Sequence, residues 1–242
     1  MKKLFTQILV LALLHIGTSM ADAQIFMEKT KISRDVEPGQ TYVEDVTIFN
    51  TTEENVQVRV YWQDFVYVEP FDGKKEFKPA GTSDYTMSDW VSFSPQNFTL
   101  GPKENKKINI SVRVPEPIES GGFYGVLFYE RPPEDMAGQV GLKIVTRLGT
   151  LFFFETKDKD KSNEVADIVF EGNIIRGGFS NQGNVFLLPK GIYYLMDTSG
   201  LVVSRGEVKR MFIAPNKTAQ FEVELDESLD TGEYTLVLTF DI

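Results

Sequence analysis

Apolar and polar residues alternate along most of the chain after residue 23, with a period of two. The alternation is regular in segments 56–63, 108–114 and 234–241. A period of two is typical of β-strands with one buried face, and the period of 3.6 that indicates helices is absent here. The pattern predicts antiparallel sheets with one solvent-exposed face. In the first segment the expected core face consists of Val56, Val58, Val60 and Trp62.

Proline and glycine residues separate the predicted strands. Pro38-Gly39, Gly101-Pro102 and Pro215-Asn216 each precede an alternating segment, and Asp72-Gly73 and Ser199-Gly200 are typical of hairpin turns. Many short strands separated by such turns favour β-sandwiches of the immunoglobulin-like type.

A charged run at 157–164 divides the chain, because it lies between a very apolar segment and a new strand. It predicts a linker between an N-terminal domain at 24–156 and a smaller C-terminal domain at 165–242. The predicted fold class is all-β, with two immunoglobulin-like β-sandwich domains in tandem after a cleaved signal peptide.

The signal peptide is expected at residues 1–23. Lys2 and Lys3 form a basic start, residues 9–14 an apolar centre, and Ala21-Asp22-Ala23 a cleavage site of small residues. The apolar run is too short for a permanent membrane span. We therefore expect a periplasmic or secreted protein that does not insert into the membrane.

Composition excludes most catalytic chemistry. The chain has no Cys, and its one His, His15, lies in the predicted signal peptide. Composition therefore excludes nucleophilic sites that need His or Cys, thiol redox sites and Cys/His metal sites. A hydrolase that uses Ser-Lys or paired carboxylates stays possible, but no such constellation of residues is visible, so we expect no enzyme, no metal and no cofactor. Removing Lys2, Lys3 and Asp22 changes the net charge from −10 to −11. This acidity disfavours nucleic acid and anionic membranes as partners.

One acidic segment resembles the start of a calcium loop. Asp158, Asp160 and Ser162 have the spacing of its first ligands. However, Asn163 stands where the turn glycine belongs, and Val169 stands where the bidentate glutamate belongs. A solvated linker explains this segment better.

The most informative part of the chain is a long apolar hairpin, 123–129 and 140–154. Leu142, Ile144 and Leu148 form an apolar row on its second strand. Two interpretations stay open. Both strands are central and buried, which is usual for continuous apolar runs, or the row lies at a sheet edge where an extended partner chain adds as a strand.

At this point the sequence resembles the PapD-like periplasmic pilus-assembly chaperones, which have two immunoglobulin-like domains. The segments that carry the resemblance are 27–31, the turn at Pro38-Gly39 with the strand ending at Asn50, 93–102, 122–128, 142–153, 181–191 and 231–234. They cover nearly all of the chain after residue 23, and other exported sandwich proteins resemble them more loosely.

The resemblance implies a binding chemistry. In this family two basic residues hold the C-terminal carboxylate of a client subunit, and an apolar row completes the client's sandwich. The matching positions are Lys29 and Arg147 for the carboxylate, and Leu142, Ile144 and Leu148 for the row. The implied function is a non-enzymatic periplasmic chaperone that binds a secreted, pilin-like subunit by β-strand addition.

The resemblance also implies an outer-membrane assembly partner for this chain. A homodimer through the apolar edge strand is a further expectation when no client is bound. The alternative function is a structural or adhesive immunoglobulin-like module of the cell envelope without chaperone activity.

Overall fold

The computed structural model describes residues 25–132, 145–225, 229 and 231–242. The predicted signal peptide, Leu142 and Ile144 lie outside the described residues. Within them the chain is built almost wholly of strands, with one 3₁₀ turn at Ser88–Trp90. The all-β prediction is confirmed. In the part of the chain that the structure describes, no helix is long and apolar enough to cross a bilayer.

The first ten strands form two sheets. They are β1 (Ile25–Met27), β2 (Lys31–Val36), β3 (Thr41–Asn50), β4 (Val56–Tyr67), β5 (Lys75–Pro79), β6 (Val91–Ser94), β7 (Asn97–Leu100), β8 (Asn105–Arg113), β9 (Gly122–Arg131) and β10 (Thr146–Thr156). Sheet A has the order β1-β3-β8-β6, and sheet B has the order β2-β10-β9-β4-β5, with β7 also paired to β4. β2 and β10 run parallel to each other.

The remaining strands form a second, smaller pair of sheets. They are β11 (Asn163–Glu171), β12 (Ile174–Asn181), β13 (Lys190–Met196), β14 (Val202–Val208), β15 (Lys217–Glu224) and β16 (Thr235–Asp241). Sheet C has the order β11-β12-β15, and sheet D has the order β14-β13-β16. β10 of sheet B ends at Thr156 and β11 of sheet C begins at Asn163, so β11 starts within the predicted linker at 157–164. The tandem arrangement of two sandwiches agrees with the predicted fold class.

The alternating pattern of β4 produces the core between sheets A and B. Val56, Val58 and Val60 are at most 3% exposed, and Trp62 is 9% exposed, as the period of two predicted. The odd-numbered residues of β4 therefore point to the opposite, outer face of sheet B. This outer face carries the candidate site.

A second apolar cluster joins the two halves of the chain. Tyr124 and Phe153, on the outer face of sheet B, belong to the same buried cluster as Phe179 and Phe221 of the second sandwich. Phe186 connects them: its ring stacks on Tyr124, with centroids 3.9 Å apart and planes at 8°. The halves therefore meet through a continuous apolar contact.

A buried carboxylate organises the segment between β5 and β6. Asp64 is 0% exposed, and its Oδ2 accepts hydrogen bonds from the backbone N–H groups of Thr82 and Ser83, both at 3.0 Å. Its Oδ1 accepts from Thr86 Oγ1 at 2.9 Å and from Trp62 Nε1 at 3.4 Å. Several neutral donors thus replace the water that the buried charge has lost.

Candidate functional site

Strand β10 is paired on both sides along only part of its length. Residues 146–155 pair with β9, whereas only residues 151–156 pair with β2 on the other side. The backbone N–H of Leu151 donates to the Thr30 carbonyl at 2.9 Å, where the β2 side of the ladder begins. Among the described residues, 146–149 therefore pair with a strand on one side only, and we call them the open edge of sheet B.

The open edge presents backbone groups in a defined direction. Backbone groups of successive residues in a strand point to alternate sides, and those of Leu151 point towards β2. The N–H and C=O groups of Gly149 and Arg147 consequently point to the open side. An extended chain at this position would find both donors and acceptors to pair with.

The structure places one member of the predicted apolar row. Leu148 is half-buried and packs against the core between sheets A and B. It shares this inward direction with Thr150, Phe152 and Phe154, which are fully buried further along β10. Both earlier interpretations of the hairpin thus apply to β10: it is central from residue 151 onward and is an edge before residue 150.

Arg147 lies on the outer face of sheet B, against aromatic rings. Its guanidinium carbon is 4.3 Å from the ring centroid of Phe128 and 5.2 Å from that of Phe77. Its Nη1 donates to Gln63 Oε1 at 3.3 Å and, more weakly, to Tyr61 Oη at 3.5 Å. The aromatic platform orients the exposed guanidinium by cation–π attraction.

The carboxylate nearest to this cluster is already engaged. Arg59 Nη2 donates to Glu130 Oε1 at 2.6 Å, and the Tyr61 hydroxyl donates to Glu130 Oε2 at 2.6 Å. Burial, and then this bond to Glu130, raise the pKa of Tyr61 above its ordinary value. Because Glu130 is satisfied by Arg59 and Tyr61, Arg147 has no carboxylate partner among the described residues.

Lys29 lies elsewhere, at the point where the chain crosses from sheet A to sheet B. Its Nζ is 3.0 Å from Asp45 Oδ1 and donates to the Asp45 carbonyl at 2.8 Å. Asp45 is on β3, faces out of sheet A and also pairs with Lys107. The structure therefore holds the charge of Lys29 on sheet A and that of Arg147 on the outer face of sheet B, and it does not bring the two together.

Lys31 shares the outer face of sheet B with Arg147. Its Nζ lies 4.4 Å from the ring centroid of Phe153, which belongs to the outer face of sheet B. A pocket of about 310 Å³ adjoins it, with Leu188 from the second half on its far side. We call this pocket the cleft. Its lining consists of Lys31, Ser33, Arg34, Asp35, Phe153, Glu155, Lys159 and Leu188.

The sequence does not single out Lys31, Tyr61 or Glu130 as site residues. Lys31 could have been found only from its position, because it lies two residues after Lys29 within the segment 27–31 that resembles the chaperone family. Nothing local marks Tyr61 and Glu130, which meet because β4 and β9 are neighbours in sheet B.

The acidic segment after β10 serves a structural purpose. Asp160 Oδ1 accepts from the Ser162 N–H at 2.8 Å and from Ser162 Oγ at 2.6 Å, which closes a local turn. Within the described ranges, no group of three or more Asp, Glu, His or Cys side chains is placed to hold a metal ion.

Comparison with known proteins yields a likeness in structure. No protein-family model matches the chain, and no curated protein matches it. A solved chain from a chaperone–tip adhesin complex of CFA/I fimbriae is 14% identical with a TM-score of 0.54, covering 89% of this chain and 98% of the other. The class 5 fimbriae chaperone CfaA is 14% identical with a TM-score of 0.52, covering 90% of this chain and 100% of its own.

The chain therefore has the two-sandwich fold of these solved fimbrial-chaperone structures over about 90% of its length. At this low sequence identity the likeness concerns the fold. What this chain binds depends on its own open edge, cleft and charged residues.

Proposed function

We propose that this protein is a non-enzymatic periplasmic chaperone that binds an exported, pilin-like subunit by β-strand addition at the open edge. The observation that carries the proposal is the one-sided pairing of residues 146–149. Unpaired backbone groups at a sheet edge are a template for another chain, and folded proteins normally cover such edges. Leu148 supplies an apolar contact on the inner face, and we propose that Leu142 and Ile144 continue this row.

The pairing also favours one direction for the client strand. A strand added at residues 146–149 lies in line with β2, which pairs with the next part of β10 and runs parallel to it. If the client strand is also parallel, its carboxyl end points at the start of β2. Lys31 stands at that start, without a carboxylate partner among the described residues, and its cation suits a terminal carboxylate.

We therefore propose Lys31 and Arg147 as the cations that receive the client's carboxyl end. Lys29, the position implied by the family resemblance, stays a prediction for the same role. Its Nζ would first have to leave Asp45, to which it is bound through both the side chain and the carbonyl. The outward-facing position of Lys31 requires no such exchange.

The test is affinity capture of tagged protein, residues 24–242, from its native envelope extract, with mass spectrometry of what stays bound. We expect small exported subunits rich in β-structure, in near-equal amount to the protein. Two variants isolate the strand pairing. Arg147→Gln removes the charge and keeps the N–H, whereas Arg147→Pro also removes the N–H that points to the open side. Proline is tolerated there because that N–H makes no ladder bond to β9.

Capture of the subunit should be weaker for Arg147→Gln and lost for Arg147→Pro, with both variants folded by circular dichroism. Equal capture by the two variants would exclude backbone pairing at the open edge. Capture of only large envelope proteins would instead favour a structural or adhesive module.

A further inference from the structure

The outer face of sheet B concentrates positive charge on aromatic rings. All cation–π contacts that the structure gives for its described residues lie on this face. Besides the two made by Arg147, they join Lys31 to Phe153 at 4.4 Å, Arg59 to Tyr61 at 5.0 Å and Lys75 to Tyr67 at 5.0 Å. This arrangement contrasts with the net charge of −10 for the whole chain.

The carboxylates Glu130, Asp35 and Glu155 of this face are held by cations other than Lys31, Arg147 and Lys75, and Lys159 balances one of the two charges that it bridges. Glu130 is paired with Arg59, and both Asp35 and Glu155 are paired with Lys159. Lys31, Arg147 and Lys75 therefore keep no carboxylate partner among the described residues. Burial lowers the pKa of Lys75, and its Nζ is bound only to the Gly73 carbonyl, at 3.2 Å.

We propose that the outer face of sheet B, between Lys31, Arg147 and Lys75, is a docking surface for an acidic polypeptide, namely a client whose Asp and Glu side chains face this sheet. Charge complementarity identifies the partner. Cations that lie on rings without a carboxylate of their own attract carboxylates, while the surrounding acidic chain repels a partner of uniformly negative charge. The partly buried rings of Tyr61 and Phe77 add apolar contact area, which suits a polypeptide better than a small anion.

This inference rests on the proposed function and extends it. A strand added at the open edge would place alternate side chains on the inner face, beside Leu148, and on the outer face, beside Arg147. The inner side chains are expected to be apolar. The outer ones, and the part of the client that covers the cleft, are expected to be acidic. The carboxylates concerned are those of side chains, in addition to the terminal carboxylate.

The experiment uses two synthetic 14-residue peptides that alternate apolar and polar residues. They are identical except that the polar positions carry Glu in one peptide and Gln in the other. Both are amidated at the C-terminus, so that the terminal carboxylate contributes nothing. Binding to the protein, residues 24–242, is measured by fluorescence anisotropy at low and high salt. We expect the Glu peptide to bind about tenfold more tightly at low salt, the scale of a few exposed ion pairs, and to lose this advantage at high salt.

Charge variants locate the effect. A triple variant with Lys31→Gln, Arg147→Gln and Lys75→Gln should bind the two amidated peptides equally. The matched control is Lys106→Gln, Arg113→Gln and Lys217→Gln, which removes three exposed cations, two on β8 and one at the start of β15. This control should keep the preference for Glu. Thermal unfolding of each variant checks that the fold is intact.

The outcomes separate this inference from the proposed function. Equal binding of the Glu and Gln peptides to the unmodified protein would overturn the acidic docking surface and leave strand addition standing. Failure of both amidated peptides to bind would also overturn the acidic docking surface, while the capture experiment above tests strand addition with the client's own carboxyl end. Heparin, added as a competitor, should displace the Glu peptide poorly. If heparin instead releases the Glu peptide as readily as it releases an acidic peptide from any basic surface, the surface binds polyanions in general, and the inference is overturned.

Discussion

The backbone N–H of Phe186 donates to the phenolic oxygen of Tyr124 at 2.9 Å, while the two rings stack with their centroids 3.9 Å apart. Tyr124 belongs to β9 of the first half, and Phe186 precedes β13 of the second. Burial, and then the nearby Glu155 carboxylate, raise the pKa of Tyr124, so its hydroxyl stays protonated over the physiological range. This residue pair thus makes both an apolar and a polar contact between the halves, which are also joined by the hydrogen bond from the Phe212 N–H to the Phe71 carbonyl at 2.8 Å.

This contact predicts that Phe186→Ala destabilises the protein strongly. Loss of a buried aromatic side chain costs about 3–5 kcal/mol in the free energy of unfolding. Tyr124→Phe should cost less, about 1–3 kcal/mol, because it leaves the Phe186 N–H unpaired but keeps the stacked ring. Urea unfolding measures both. Tyr194→Phe, a partly exposed position on β13, is the control and should change little. A Phe186→Ala variant as stable as this control would contradict the structure.

A second prediction concerns the buried carboxylate of Asp64. Asp64→Ala leaves the N–H groups of Thr82 and Ser83 without their acceptor, which should cost about 3 kcal/mol or more. Faster amide hydrogen exchange in residues 82–88 should accompany the loss of stability. Asp72→Ala serves as the matched control, because Asp72 accepts from the Lys74 N–H in an exposed turn. Unchanged exchange in 82–88 would show that another contact orders this segment.

Packing across sheet B gives a third prediction, at Gly125. A Cβ atom there would lie 2.0 Å from Cζ2 of Trp62, whose ring fills the core between sheets A and B. Gly125→Ala must therefore displace the indole, at a cost of about 1–3 kcal/mol typical of overpacked cores. Gly232→Ala is the control, since its nearest heavy atom would be 3.7 Å away. Thermal unfolding compares the two, and equal midpoints would argue against the tight contact.

The ion pairs of Asp45 predict a dependence of stability on pH. Side-chain hydrogen bonds from Lys107 and then from Lys29 lower the pKa of Asp45 from 3.8 to about 2. Because the pKa is lower in the folded state, this contribution is fully present above 3.8 and is lost as the pH falls towards about 2. The stability advantage of the unmodified protein over Asp45→Asn should accordingly shrink across this window.

Urea unfolding at a series of pH values measures that difference. Lys29→Gln combined with Lys107→Gln removes the same ion pairs by changing the lysines. The stability difference between the unmodified protein and this double variant should shrink over the same pH range. A difference between the unmodified protein and Asp45→Asn that stays constant with pH would mean that the pairs do not form in solution.

The local pattern of apolar and polar residues was sufficient to predict these strands and their buried faces. The alternation of Val56, Val58 and Val60 predicts both a strand and its buried side, because in a strand the direction of a side chain depends only on the parity of its position. The continuous apolar run at 123–129 likewise indicates β9, which lies between β4 and β10 and is covered on both faces.

The sequence by itself determined the fold class, the buried face of β4 and the absence of cysteine chemistry, since each depends on residue type or on a period of two. The tertiary structure decided which cations share a face. The chain crosses from sheet A to sheet B between β1 and β2, so the side chain of Lys29 is bound to β3 of sheet A while Lys31 lies on β2 of sheet B. It also decided where β10 is open, because the starting point of β2 sets how far the parallel pairing extends. Both depend on which strands become neighbours, and contacts between residues distant in sequence leave no local pattern to detect.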